Sequence, residues 1–164
     1  MFAAVFFIFA NPTVMSLAVG AVIALAGLAL RAWSSGHIRK ASVLAVTGPY
    51  AHTRNPLYLG TLVMGVGFTI AAGVWWLALV FCVLFIGIYL PVMSVEAEDM
   101  RRIFPGDFPE FERNVPLLIP RLTPWRKSSE KFDIQLYFRY REYRAALGAF
   151  LAIGLLAAKA LFFQ

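Results

Sequence analysis

Residues 57–95 read LYLGTLVMGVGFTIAAGVWWLALVFCVLFIGIYLPVMSV, with no charged side chain. A bilayer core takes about 20 apolar residues of helix, so this stretch is long enough for two crossings. Ala71-Ala72-Gly73 divides it with the small residues of a tight turn. The stretch therefore predicts a helical hairpin, 57–72 rising and 74–95 returning. Trp75-Trp76 beside the turn suits the aromatic belt of a membrane boundary. Pro91 falls near the end of the return helix and is expected to bend it.

Two further apolar stretches flank the hairpin, at about 12–31 and 145–163. Asn11-Pro12-Thr13 makes a good start for the first, because proline fits a first helical turn. Residues 2–9 are too few to span. They are expected at the interface, as a re-entrant turn, or as an extension of the first span kinked at Pro12. Their apolar run has no basic residue before it, so it reads as mature chain and not as a secretory signal. The expected fold is one all-α membrane domain over 1–164, polytopic, with about four to five transmembrane helices. Composition agrees: 60% of the 164 residues are hydrophobic and 15% charged, against roughly half and a quarter in soluble domains. A soluble chain of this length could not bury so much apolar surface.

The net charge of +6 would suggest nucleic acid on a soluble protein. Here topology explains it, and no nucleic-acid partner is expected. Of the 15 Lys and Arg, four (Arg31, Arg39, Lys40, Arg54) fall between the first and second spans, and ten between the third and fourth. Only Lys159 falls near the other side. The positive-inside rule puts both long loops in the cytoplasm and both termini outside. The polar chemistry then lies on the cytoplasmic face. No internal repeat is visible and no isolated charge marks a span's middle, which weakens a transporter reading.

Two polar groups could carry chemistry there. The first is Gly48-Pro49-Tyr50 followed by Arg54-Asn55-Pro56-Leu57-Tyr58. Its glycine and prolines fix a turn. Pro56 opens a helix whose unpaired N–H groups and positive dipole end, with Arg54 beside them, suit a carboxylate or phosphate. The plainer alternative is a membrane-border turn whose Arg54 touches lipid phosphate. The second is Glu96-Ala97-Glu98-Asp99, expected at the cytoplasmic end of the third span. Acids are unfavourable at a helix C-terminus, so they would either hold a cationic ligand or pair with Arg101 and Arg102. Phe104, Phe108 and Phe111 follow at helical spacing, interrupted by Pro105 and Pro109. Short helical pieces on the membrane are expected there, able to wall off a site. His37 and His52 have no partners at metal-ligand spacing, and the single Cys82 sits in an apolar run, so no metal site is expected. His52, two residues from Arg54, could line the same pocket.

The ordered set of a Gly-Pro-Tyr turn, an Arg-x-Pro-x-Tyr helix start, an apolar hairpin, an acidic helix end and a Phe-rich stretch ending in Val115-Pro116 resembles the isoprenylcysteine carboxyl methyltransferase and phospholipid methyltransferase superfamily. The resemblance covers about residues 36–121. It implies an S-adenosylmethionine-dependent membrane methyltransferase that releases S-adenosylhomocysteine and acts on a lipophilic acceptor from the bilayer. Gly48, Pro49, Tyr50, Arg54, Pro56 and Tyr58 match the first motif, and Glu96 stands at the first acid of a paired-glutamate motif. The implied cofactor region is about 36–58 and 96–121. Arg54 and Glu96 are the expected catalytic residues. Tyr50, Asn55 and Tyr58 would shape the pocket, and Glu96, Glu98 or Asp99 would hold the donor's ammonium or ribose. This chain has Arg54-Asn55-Pro56 where Arg-His-Pro is common, and Ala97 at the second acid. Carboxyl O-methylation leads these expectations. The alternatives are N-methylation of a phospholipid amine, or a non-catalytic membrane adaptor or transporter subunit.

Overall fold

The computed structural model describes residues 2–38, 43–127 and 130–162. Arg39 and Lys40 of the first basic loop, and Phe163 at the end of the expected fourth span, lie outside the described residues. All regular elements among the described residues are helical. They are α1 (Phe2–Phe9), α2 (Val14–Ser35), a 3₁₀ turn (Gly48–Ala51), α3 (Pro56–Ala71), α4 (Trp75–Ile103), α5 (Phe108–Asn114), α6 (Ile134–Arg139) and α7 (Tyr143–Phe162).

Among the described residues three helices, α2, α4 and α7, are long and apolar enough to cross a membrane. At 16 residues α3 is shorter, about 24 Å at the α-helical rise against a hydrocarbon core of about 30 Å. Length alone thus supports three crossings, where the sequence led us to expect four to five. The break before α2 follows the expected motif. Thr13 accepts from the Ser16 N–H at 3.1 Å, and the Ser16 hydroxyl accepts from the Thr13 N–H at 2.9 Å, forming a capping box. The last carbonyls of α1 are met by a cation, because Lys159 Nζ donates to Phe7 and Ile8 at 2.7 and 2.9 Å.

The closest helix contact is an antiparallel seam between α2 and α3. Gly20, Ala24 and Gly27 of α2 face Ala71, Gly67 and Gly60 of α3. A Cβ on Gly20 would sit 2.3 Å from the Ala71 nitrogen, and one on Gly67 would sit 2.3 Å from the Ala24 nitrogen. Lipid gives two apolar helices little hydrophobic reason to associate, so close approach of small residues supplies the packing.

Gly73, at φ 69°, turns α3 into α4. The return helix does not stop near 95. It continues for 29 residues, about 44 Å, to Ile103. Glu96, Glu98 and Asp99 therefore lie inside α4 and not at its end, while Arg101 and Arg102 occupy the last turn. This corrects the expected boundary, and it removes the mismatch with the helix dipole, which favours cations there. Pro91 lies in the helix interior, where it removes the hydrogen bond to the carbonyl of Gly87.

Candidate functional site

The site is built on the turn between α2 and α3. Gly48 adopts φ 55°, and a Cβ there would meet the His37 ring at 2.7 Å. This left-handed start lets Pro49 open the 3₁₀ turn and buries Tyr50. The turn is then laced to the segment after α5. Arg54 N–H donates to the Pro116 carbonyl at 2.9 Å, and the Asn55 amide donates to Leu117 at 3.0 Å. The buried Thr53 hydroxyl reaches the Leu118 carbonyl at 3.1 Å. Arg121 N–H donates back to His52, and Trp125 N–H to Ala51, both at 2.9 Å. Asn55 is thus engaged with Leu117 and makes no side-chain cap on α3. Behind this lacing Phe108, Phe111 and Val115 form a buried cluster with Phe104 and Trp125 against it.

A cavity of about 490 Å³ lies between this turn and α4. Its α4 wall runs from Met93 to Met100, about 10 Å of helix. Tyr50, Arg54, Asn55, Pro56 and Tyr58 line one side, and Glu96, Asp99 and the three phenylalanines line the other. Tyr58 donates to Glu96 Oε1 at 2.8 Å, joining the start of α3 to α4. Burial, then the nearby Glu96 charge, holds the Tyr50 hydroxyl well above the usual phenol range, so it stays protonated.

Two ion-pair groups support the walls. Arg31 pairs with both oxygens of Glu142 at 2.9 and 3.0 Å and donates to the Thr61 hydroxyl at 2.6 Å. Both side chains line the cavity. At the turn, Arg54 pairs with Glu112, which also accepts two bonds from Arg101 at 2.9 Å. Burial alone would raise the Glu112 carboxyl. The hydrogen bonds from Arg101 and Arg54 outweigh it and hold the group below the usual carboxylate range. Arg54 Nε is buried without a hydrogen-bond partner among the described residues.

The structure brings Tyr50, Arg54, Asn55, Pro56, Tyr58, Glu96 and Asp99 to one cavity. Gly48 and Pro49 shape the turn but do not line it. His52 is turned away and donates from Nδ1 to the Arg121 carbonyl at 2.9 Å. Glu98 is exposed on another face of α4, paired with Arg102. Sequence reasoning missed Arg31, Glu142 and Glu112. Arg31 carried one signal, as the only charge in the apolar helix α2, but its partner lies 111 positions away. Among the described residues, no three His, Cys, Asp or Glu side chains gather as metal ligands.

Residues 5–107 match the phospholipid methyltransferase family. The chain is 34% identical over 101 residues to the nickel-cobalt-cadmium resistance protein NccN of Alcaligenes xylosoxydans xylosoxydans, covering 60% of this chain and 47% of that protein. It is 34% identical over 105 residues to the cobalt-zinc-cadmium resistance protein CzcN of Cupriavidus metallidurans, covering 60% and 46%. The chain thus spans about half the length of these curated relatives. No solved structure matches it.

Proposed function

The chain belongs to the phospholipid methyltransferase family, and from that premise we propose that it is an integral membrane methyltransferase that uses S-adenosylmethionine on a lipophilic acceptor. The observation that carries the reading is the cavity itself, which joins an uncapped helix start to two carboxylates without guanidinium partners among the described residues. The donor supplies an activated methyl group on a sulfonium and leaves as S-adenosylhomocysteine. The lining suits its parts. The start of α3 and Arg54 would take the carboxylate, Glu96 or Asp99 the ammonium or ribose hydroxyls, and Tyr50 with the phenylalanines the apolar faces. Transfer from a sulfonium needs mainly positioning and exclusion of water, to which the aromatic lining contributes. In this reading α3 is a fourth crossing, the single domain covers 1–164, and the cavity opens on the cytoplasmic face, where the basic loops lie.

The charges favour an amine acceptor over a carboxyl one. An acidic acceptor needs a free cation in the cavity besides Arg54. Arg31 stands there with donors engaged by Glu142 and Thr61. An amine must lose a proton before or during attack, and Glu96 and Asp99 are the carboxylates at hand. The names of the two relatives carry a second reading, a non-catalytic subunit of a metal-resistance system. Calorimetry with S-adenosylhomocysteine on the detergent-purified chain separates the two: binding is expected, and its absence leaves the second reading. Incubation of membranes with labelled donor should then place label in a lipid headgroup as a base-stable N-methyl group. A base-labile methyl ester would instead restore the carboxyl acceptor.

A further inference from the structure

The family match ends at residue 107, yet the cation at the donor end of the cavity is held from beyond it. Arg54 is mostly buried, its side chain 15% exposed, and its ion-pair partner is Glu112 of α5. Glu112 is gripped from the other side by Arg101 through two hydrogen bonds. One carboxylate thus ties the turn before α3 to the last turn of α4 and to α5. The backbone of Arg54 is fixed by Pro116, so the remaining freedom is that of a long side chain. A long side chain on a fixed backbone has many rotamers, and most would draw the guanidinium out of the cavity wall. The Nε, buried without a hydrogen-bond partner among the described residues, costs free energy. Such a pose persists only where its surroundings dictate it.

We propose that Glu112 is a positioning residue, which sets the guanidinium of Arg54 in the cavity wall to receive the carboxylate of the methyl donor. The inference rests on the donor-binding reading above. Glu112 does not line the cavity and acts through Arg54. Arg101 in turn keeps Glu112 ionised and fixed, so that Arg54 faces a charge whose own position is set by a second cation. The three groups sum to one positive charge, which leaves the cluster attractive to an anion despite the internal pair. A neutral residue at 112 would leave Arg54 charged and buried without its partner, free to turn toward solvent or lipid phosphate.

The test is a double-mutant cycle read by calorimetry of S-adenosylhomocysteine binding to the full chain in detergent. Glu112→Gln and Arg54→Ala should each weaken binding about tenfold or more. Glu112→Gln should add nothing in the Arg54→Ala background, because it acts only through Arg54. Losses that multiply in the double variant would overturn the proposal, as they mark a general structural role. Binding unchanged by Glu112→Gln would overturn it as well. Glu112→Asp keeps the carboxylate's charge but shortens its reach to both guanidinium groups. It should reproduce the loss at an unchanged thermal unfolding midpoint, so that a folding defect in the Gln variant cannot mimic the result. If the wild-type chain fails to bind the probe, the donor-site reading falls. If the wild type binds and Glu112→Gln binds equally, only the role of Glu112 falls.

Discussion

The seam between α2 and α3 and the lacing around the cavity both hold distant segments together, by opposite means. In the seam, backbone meets backbone through Gly20, Gly27, Gly60 and Gly67, with no room for a Cβ at any of the four. Around the cavity, carbonyls of 116–118 meet side chains of 53–55, and Glu112 and Glu142 each meet a guanidinium. The first device depends on shape and tolerates nothing larger than hydrogen. The second depends on charge and hydrogen bonding, so it tolerates changes of size that keep donor and acceptor. The seam is a scaffold that fixes where the second and third helices begin and end. The lacing aims side chains from those fixed ends.

Substitutions that cross the two devices test this contrast. Gly67→Leu should have the largest effect. Backbone on the facing helix cannot yield as a side chain would, so overpacking costs about 3 kcal/mol or more. Loss of the folded species in size-exclusion and thermal unfolding is expected; a well-folded variant would mean that the seam is looser than its contacts. Glu142→Leu comes next. It removes the carboxylate partner of the partly buried Arg31 and should destabilise by about 3 kcal/mol. Arg31→Met in the same chain should restore most of that stability, since an apolar pair needs no partner. A double variant as unstable as the single would show that the pair holds more than itself. Glu98→Gln should have the smallest effect. The exposed Glu98–Arg102 pair on α4 should change neither the unfolding midpoint nor S-adenosylhomocysteine binding. A clear loss of binding would return Glu98 to the site.

What the sequence disclosed follows the range of the interactions. The hairpin was legible because apolar length and a Gly turn are local. So was the start of α2, where Thr13 and Ser16 cap each other three residues apart. The turn's residues at the cavity were legible as well, because prolines and glycine fix them nearby. The end of α4 was not. Apolar character fades at Val95, but the helix is carried on by its own backbone ladder, with Arg101 and Arg102 completing it. The faces within α4 were legible even so: Glu96 and Asp99, three apart on one helical face, reach the cavity, and Glu98 points elsewhere. Asn55 was expected to shape the pocket, and it does line the cavity. Its amide is used by Leu117, 62 positions away, a pairing that no spacing rule encodes. Glu112 and Glu142 were hidden for the same reason.

Lys159 sets when α1 can be joined to α7. Its ammonium binds carbonyls of Phe7 and Ile8, more than 150 positions earlier in the chain. At ribosomal speed those positions take roughly 10 to 30 seconds to add. Throughout that interval the first helix lacks its cation, while α2, α3 and α4 are being made. The joining of α1 therefore waits on α7, which fastens it on emerging.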